Sequence, residues 1–270
     1  VDDAAIAVWD LESEAVRAVL SREDEAVKGI AFSADGRFLA SLGSGPQITL
    51  WDLAAQPMYR SLSSPSDKPM TGLAFSPVGK TLAGADEDAN ITLWDADTGE
   101  QTVLTAHVDL IKRLRFSPNG AMLASEGMDA QLVVWDVASG QDQTGLPARF
   151  DAQVTGLAFS PDGTKLVSVG DGAELLVWEV SSGRLLQVFG GHFGLVEEVA
   201  FGASGEMLSS VGSDGQVIVW DLRTGAERFT FRLPGSIAAA DAVASATDTA
   251  AVMVPGPNLS ATTASTTLGT

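Results

Sequence analysis

Two sets of serine, histidine and aspartate stand at one spacing in this chain and are of the types that catalyse hydrolysis. The sets are His107, Ser125 and Asp129, and His192, Ser210 and Asp214. In both, the serine follows the histidine by 18 residues and the aspartate follows it by 22. A serine activated by a histidine, which an aspartate orients, is the arrangement of a nucleophilic hydrolase. Whether these groups can act in that way depends on the elements that position them.

Both sets end on a tryptophan, 28 residues after the histidine, and these tryptophans belong to a repeat. The six tryptophans of the chain are Trp9, Trp51, Trp94, Trp135, Trp178 and Trp220, at intervals of 42, 43, 41, 43 and 42 residues. They close the similar phrases AIAVWD, QITLWD, NITLWD, QLVVWD, ELLVWE and QVIVWD. A fixed period of about 40 to 45 residues predicts an array of similar β-units.

Each unit reads as short strands joined by tight turns. The segment TGLAFS occurs at residues 71–76 and again at 155–160, and its apolar positions alternate as they do in a strand. A turn follows that ends in glycine, where a positive φ is wanted, at Gly36, Gly79, Gly120, Gly163 and Gly205. After each tryptophan we expect another polar turn and a fourth, outer strand, for example at residues 184–189.

On these phrases and spacings the chain resembles the WD40-repeat β-propeller family. The resemblance implies an all-β fold of four-stranded antiparallel blades. It also implies a structural tetrad, in which aspartate holds histidine, histidine holds serine, and the serine hydroxyl accepts the indole N–H. The expected tetrads are His107, Ser125, Asp129 and Trp135, and His192, Ser210, Asp214 and Trp220.

The tetrad interpretation disfavours an enzyme. A nucleophilic serine must be exposed beside an oxyanion hole, whereas the duplicated spacing places Ser125 and Ser210 inside strands. The acidic run 86–88 lacks the alternating ligands, central glycine and distal glutamate of a calcium loop. We therefore predict no catalytic residue, no metal site and no cofactor.

Three other units depart from the tetrad. The histidine position holds Glu23, Ser66 and Phe150 in the units of Trp51, Trp94 and Trp178. At the aspartate position only Asp88 is retained, and the other two units have Gly45 and Gly172. We expect these units to lack the full hydrogen-bond network.

The two ends of the chain decide how many blades are expected. Residues 1–20 supply only the last two strands of a unit, and residues 233–256 align as the first two strands of a degenerate unit. Joining them in one blade would complete a domain over residues 1–256, which removes two open sheet edges. Six blades are therefore favoured, with a cut seven-bladed parent as the alternative. Residues 257–270 read as a weak strand or a disordered linker, and the start at Val1 suggests a piece of a longer protein.

Composition limits the partners that are expected. The 270 residues include 35 acidic and 16 basic side chains, for a formal net charge of −19. Nucleic acid and anionic membranes are disfavoured because both require a basic surface. The absence of cysteine excludes disulfides and thiolate metal ligands. We expect a soluble, monomeric, cytoplasmic domain of bacterial origin.

Residues near the innermost strands and the histidine loops are the expected partner-binding positions on the top face of the propeller. They are Lys112, Arg113, Met128, Phe193, Glu197 and Glu198. The prediction is a non-catalytic scaffold that binds a protein or peptide. Two alternatives remain: a small-molecule or enzymatic site in the central channel, and a purely structural repeat array.

Overall fold

The computed structural model describes residues 5–21, 26–54, 58–146 and 154–232, and within these ranges every regular element is a β-strand. The expected all-β class is therefore confirmed. The chain divides into two compact units, Val1–Asp142 and Gln143–Thr270.

The described part of the first unit contains one two-stranded antiparallel sheet, β1-β2, and two complete four-stranded sheets, β3-β4-β5-β6 and β10-β9-β8-β7. A further four-stranded sheet, β11-β12-β13-β14, ends in a strand that begins at the unit boundary. The strands are β1 (Ala5–Asp10), β2 (Ala15–Ser21), β3 (Gly29–Phe32), β4 (Phe38–Leu42), β5 (Gln47–Asp52), β6 (Met58–Ser63), β7 (Met70–Phe75), β8 (Thr81–Asp86), β9 (Asn90–Asp95), β10 (Gln101–Thr105), β11 (Ile111–Phe116), β12 (Met122–Gly127), β13 (Leu132–Asp136) and β14 (Asp142–Leu146).

In the described residues, the second unit contains two four-stranded antiparallel sheets, β15-β16-β17-β18 and β19-β20-β21-β22. Their strands are β15 (Val154–Phe159), β16 (Lys165–Gly170), β17 (Glu174–Glu179), β18 (Leu185–Gly190), β19 (Val196–Phe201), β20 (Met207–Gly212), β21 (Gln216–Asp221) and β22 (Ala226–Arg232). The expected strands at 155–160 and 184–189 thus fall on β15 and β18.

Burial follows the order of the strands within each sheet. The two central strands are buried along most of their length, as in β4 and β5, because neighbouring strands cover both edges and packed side chains cover both faces. The outermost strand is the most exposed, and every residue of β22 is exposed. The central strands therefore carry the core, and the strand ends and loops carry the accessible residues.

The turns form as the sequence predicts, and the five expected glycines all have φ between +66° and +75°. In the turn before β16, the Ser160 hydroxyl donates to Asp162 Oδ1 at 2.5 Å, and the same hydroxyl accepts the Lys165 N–H at 2.9 Å. These local hydrogen bonds close the turn without help from another element. The hydrogen bonds from Ser160 and from the Thr164 N–H lower the pKa of Asp162 to about 2.

The acidic residue after each tryptophan accepts hydrogen bonds in the next turn. In the unit of Trp220, Asp221 Oδ1 accepts the backbone N–H groups of Arg223 and Thr224, both at 2.9 Å. In the unit of Trp178 the longer Glu179 accepts the Ser182 hydroxyl instead. Aspartate is therefore the better residue for this turn because its short side chain reaches the backbone two and three residues on.

Each of several tryptophans fills the space between its own sheet and the preceding one. Trp51 packs with Val8 and Leu20 of the two-stranded sheet. Trp220 packs with Val177 and Phe189, and its ring centroid lies 5.3 Å from that of Phe189. A large flat side chain is suited to this place because stacked sheets stand about 10 Å apart. The repeated tryptophan is thus a packing residue first.

The innermost strands of neighbouring sheets are tied by a threonine at a β-bulge. In β7 the register shifts between Met70 and Gly72, and the intervening Thr71 donates to the Ile111 carbonyl of β11 at 3.2 Å. Thr155 stands at the same bulge of β15 and donates to the Val196 carbonyl of β19. A bulge leaves one residue without a cross-strand partner and turns its side chain in a new direction.

The expected blade from the two chain ends lies only partly in the described structure. Strands β1 and β2 fall within the N-terminal half-blade predicted at residues 1–20, with β2 ending one residue later. The segments 233–256 and 257–270 lie outside the described residues. The six sheets of the described ranges fit six blades, and closure through the C-terminal segment stays a prediction.

Candidate functional site

The first predicted tetrad is brought together in the first unit. His107 Nδ1 lies 3.1 Å from both carboxylate oxygens of Asp129, and His107 Nε2 lies 2.8 Å from Ser125 Oγ. The Trp135 indole N–H donates to the same Ser125 Oγ at 2.8 Å. The chain of hydrogen bonds begins at the loop before β11 and ends inside the sheet.

The second tetrad has the same geometry in the second unit. His192 Nδ1 lies 3.2 and 3.1 Å from the oxygens of Asp214, and its Nε2 lies 2.7 Å from Ser210 Oγ. The Trp220 indole N–H donates to Ser210 Oγ at 2.9 Å. The nearly equal distances in the two copies show that equal spacing in the two units gives the four side chains equal placement.

The directions of these hydrogen bonds bear on the hydrolase alternative. The indole N–H can only donate, so the serine oxygen is an acceptor for it. Every donor then finds one acceptor if the serine O–H points to His Nε2 and the ring proton is on Nδ1, facing aspartate. Ser125 and Ser210 are both 0 % exposed, so a substrate carbonyl cannot reach either hydroxyl. The arrangement holds a loop and a tryptophan in place and offers no surface for acyl transfer.

The tetrad aspartates also bind backbone N–H groups on the loops. Asp129 Oδ2 accepts the Val108 N–H at 2.9 Å, and Asp214 Oδ2 accepts the Phe193 N–H at 2.9 Å. Burial by itself would raise the pKa of Asp214, but hydrogen bonds from Phe193, Gln216 and His192 lower it below its ordinary value. The carboxylate therefore stays charged and fixes the residue that follows each histidine.

Two glycines that sequence reasoning missed make room for the tetrads. A Cβ on Gly127 would lie 2.5 Å from His107 Nδ1. A Cβ on Gly212 would lie 2.5 Å from His192 Nδ1 and 2.8 Å from Asp214 Oδ1. Real Cβ atoms do not approach so closely, so this position needs glycine wherever the histidine is present. The sequence signal was available, because both glycines stand two residues before the tetrad aspartate.

The unit of Trp94 fills the same place differently, and Asp86, two residues before the expected aspartate position of Asp88, carries its hydrogen bonds. Asp86 pairs with the first residue of β7, the register position that Gly127 and Gly212 hold in their sheets. Its buried carboxylate accepts the hydroxyls of Ser64 and Ser66 and the Asn90 N–H. Asp88 is exposed. The difference arises because Asp86 has a side chain at the position where the tetrad units have glycine. This side chain occupies the space that the histidine ring fills in those units.

The indole in that unit has a different acceptor. Gly84 replaces the tetrad serine, and a Cβ there would lie 2.7 Å from a ring carbon of Trp94. The Trp94 N–H donates instead to Gln101 Oε1 on the neighbouring outer strand, at 3.2 Å. Ile48 and Met70 lie equally close to that Cβ, so these side chains and the ring together leave no room for a serine, and Gln101 on β10 accepts the indole N–H.

The units of Trp51 and Trp178 keep only part of the network. Trp51 donates to Ser41 Oγ at 3.0 Å, and Trp178 donates to Ser168 Oγ at 2.9 Å. The residues predicted at their histidine positions, Glu23 and Phe150, lie outside the described residues. The serine–tryptophan hydrogen bond is thus more general than the tetrad, because it needs only two neighbouring central strands.

The structure places the basic and acidic candidates at matching register positions. Lys112 stands at the register shift of β11, between Ile111 and Arg113, and Glu197 stands at the register shift of β19, between Val196 and Glu198. Thr71 and Thr155 occupy this bulge in β7 and β15, where they bind the next strand. At two of these four bulges, in β11 and β19, a charged side chain thus stands where β7 and β15 have a threonine.

The other candidates differ in how firmly the fold holds them. Arg113 Nε lies 3.8 Å from an oxygen of the buried Glu126, so the Arg113 side chain forms an ion pair within its own sheet. Met128 is 42 % exposed and Phe193 is 89 % exposed. Glu198 is half-buried and is paired in register with Val211. Phe193 is thus more accessible than Met128, and Arg113, Glu197 and Glu198 are all partly buried.

The described residues show neither a metal-ligand cluster nor a membrane-spanning helix. Across residues 5–21, 26–54, 58–146 and 154–232, no group of three or more potential His, Asp or Glu ligands converges. The same stretches of chain contain no helix that is long and apolar enough to cross a membrane.

Comparison with known proteins agrees with the geometry of the sheets and tetrads. The family model described as "WD domain, G-beta repeat" matches five times, over residues 16–52, 57–95, 99–136, 142–179 and 183–221. The chain belongs to the WD40 family, and its four-stranded sheets are blades of a WD40 β-propeller. No curated protein matches the chain.

The family repeat is offset by one strand from the sheets. The match over residues 57–95 begins with β6, the outer strand of one sheet, and ends with β9 of the next. The match over residues 183–221 relates β18 to β21 in the same way. Such a repeat links neighbouring blades through the continuous chain, and the packing of Trp51 and Trp220 against the preceding sheet adds a non-covalent contact.

Proposed function

We propose that this chain is a non-catalytic protein-interaction module that binds its partner through loop and strand-end residues near the tetrads. WD40 repeats generally mediate protein–protein interaction, and family membership is the basis of the proposal. The observation that carries it is the pair of exposed side chains next to the tetrad histidines. Val108 is 83 % exposed and Phe193 is 89 % exposed, yet a tetrad carboxylate binds the backbone of each.

A fixed, exposed apolar residue is suited to binding. Partners lose less conformational entropy when one side of the contact is already ordered, so a rigid backbone raises the affinity that a given contact yields. Charged neighbours at the bulges would mainly set specificity and the rate of association. The candidates for these roles are Lys112, Arg113 and Met128 in the first unit, and Phe193, Glu197 and Glu198 in the second.

The absence of catalysis is part of the proposal. The two serine–histidine–aspartate sets, which are the strongest catalytic candidates in the sequence, have buried hydroxyls that bind tryptophan. The cytoplasmic location and the bacterial origin stay predictions.

Affinity capture from a lysate of the source cell tests the proposal. The wild-type chain is compared with Lys112→Glu and with Lys112→Glu plus Arg113→Glu; the single change keeps the Arg113–Glu126 ion pair. Arg223→Glu plus Arg228→Glu is the control, with the same change in charge on other elements. We expect a protein that the wild type and the control retain and that both Lys112 variants lose.

Two results would contradict the proposal. Retention of the same proteins by all folded variants would remove the loop residues from the binding surface. Capture of no specific protein by the wild type would favour the alternatives of a structural array or a small-molecule site. Melting temperatures of all variants must match within a few degrees for either result to count.

A further inference from the structure

Phe193 is a large aromatic residue whose position the stability of the fold does not explain. Its side chain is 89 % exposed, so folding removes little of the ring from water. Its backbone is nevertheless fixed, because its N–H binds Asp214 and the preceding His192 is held by Asp214 and Ser210. The ring is therefore presented outward from an anchored main chain.

Glu197 stands four residues later, at the bulge of β19. The register passes from Val196 to Glu198, so Glu197 has no cross-strand partner in β20. At the corresponding bulge of β15, the Thr155 hydroxyl is used to bind the next strand. Glu197 carries a carboxylate at this place, and the residue is partly exposed to solvent.

The surroundings at this end of the second unit are acidic. Glu174 pairs in register with Gly190, two residues before His192, and is exposed together with Asp171. Among the loops that the structure describes at this end, residues 171–173, 191–195 and 213–215 contain no lysine or arginine. An exposed aromatic ring with acidic side chains in the described loops attracts cations, because both the carboxylates and the face of the ring are negative.

The first unit provides a natural contrast. Val108 and Lys112 stand at the same two positions relative to their tetrad as Phe193 and Glu197 do. The aromatic ring is replaced by an aliphatic side chain, and the bulge charge is reversed. The combination of an exposed ring with a carboxylate is thus specific to the tetrad of the second unit, where the surrounding loops share its charge.

We propose that this end of the second unit binds an extended segment of a partner protein that carries arginine or lysine beside an apolar residue. The cation lies against the Phe193 ring and is paired with Glu197, and the apolar neighbour covers the rest of the ring. The inference rests on the proposed interaction function and gives the chemistry of the partner. Cation–π contact and charge complementarity together supply the recognition.

A library of random dodecapeptides displayed on phage, selected against the immobilised full chain, tests this inference. We expect the enriched peptides to share an arginine or lysine next to an aromatic or aliphatic residue. The dissociation constant of the best peptide is then measured by fluorescence anisotropy. Phe193→Ala and Glu197→Lys should each weaken binding by about tenfold or more, which is typical of a central contact residue.

Matched controls separate the site from the general charge of the protein. Phe229→Ala removes an exposed phenylalanine from the outer strand β22, and Glu206→Lys makes the same charge change in the turn at the opposite end of the blade. We expect both to change the dissociation constant by less than about twofold, because exposed charges beyond a Debye length are screened.

Three results would overturn the inference: no enriched peptide, enriched peptides without basic residues, or basic peptides whose binding survives both site variants. Acidic peptides that are lost in Lys112→Glu and kept in Phe193→Ala would overturn it while supporting the proposed function. Lysate capture that depends on Lys112 would likewise leave the interaction function standing if the peptide selection fails.

Discussion

Gly127 and Gly212 show how a residue without a side chain can determine a site. Each stands at the end of a central strand, where a Cβ would lie 2.5 Å from the Nδ1 atom of the tetrad histidine. The histidine ring, its aspartate and the serine beneath it can all be buried only because this position is empty. The tetrad is therefore better described as five residues, of which one contributes space.

Replacing this glycine gives the sharpest prediction at the scale of the residue. Gly212→Ala should lower the free energy of unfolding by about 3 kcal/mol or more, because the methyl group displaces His192 and leaves buried groups unpaired. Gly190→Ala is the matched control, since a Cβ there meets nothing within 4 Å. Thermal and urea unfolding measure both, and equal stability of the two variants would contradict the steric account.

Asp86 is the second residue-scale case. Asp86→Ala removes the acceptor of two serine hydroxyls and of the Asn90 N–H, so we expect a loss of about 3 kcal/mol in unfolding free energy. Asp88→Ala, two residues away and exposed, should stay within about 0.5 kcal/mol of wild type. A larger effect at Asp88 than at Asp86, measured by urea unfolding, would contradict this account of the Trp94 unit.

At the scale of the element, the two-stranded sheet β1-β2 is part of the core of the first unit. Val8 and Leu20 are buried against Leu39, Trp51 and Leu53 of the next sheet. On the opposite face of the same small sheet, Trp9 is 58 % exposed. This half-blade thus stabilises its neighbour through one face while its tryptophan remains accessible.

Substitutions on the two faces of β2 test that role. Leu20→Ala should destabilise the protein by about 2 to 5 kcal/mol, because the vacated space lies inside a packed cluster. Val19→Ala, on the other face of the same strand, should change stability by less than about 0.5 kcal/mol. Removal of residues 1–21 should lower the melting temperature further by uncovering Trp51. A truncated chain with the same melting temperature as the wild type would show that the half-blade is not part of the core.

At the scale of the whole molecule, the high negative charge is combined with carboxylates that are held in their ionised form. Hydrogen bonds lower the pKa of Asp129 and Asp214 although burial acts in the opposite direction. In Asp86, too, hydrogen bonds from serine and asparagine outweigh burial, and its pKa is lowered. Each of these groups binds its proton more weakly in the folded chain than in the unfolded chain.

The sign of the pH dependence follows from these shifts. A lowered folded pKa contributes stability above the ordinary value of 3.8, and this contribution is lost as the pH falls toward the folded value, about 2 for Asp162. We expect the melting temperature to fall steadily between about pH 4 and pH 2. The Asp162→Asn variant, which differs by one charge, should show a shallower fall. A melting temperature that is constant down to pH 2 would contradict the prediction.

Most of the architecture was predictable because the repeat carries it. The tryptophan period, the alternating strands and the glycine turns are local patterns, and each acts through contacts within a few residues or within one hairpin. The two tetrads were also predictable as groups, since equal spacing in two units implies equal placement. Their exposed neighbours could be proposed for the same reason.

Register, burial and close approach were decided by the tertiary structure. Asp86 and Asp88 are both aspartates in one short acidic run, and the sequence does not distinguish them. Only strand pairing places Asp86 at the position of the tetrad glycine. The acceptor of Trp94 could not be read from the repeat, because Gln101 comes from another strand. The sequence does not distinguish Phe193 from the other loop residues, whereas in the structure its backbone N–H donates to Asp214. The sequence by itself determined the repeated sheet and the residue types, whereas packing across strands determined which side chains are fixed, buried or exposed.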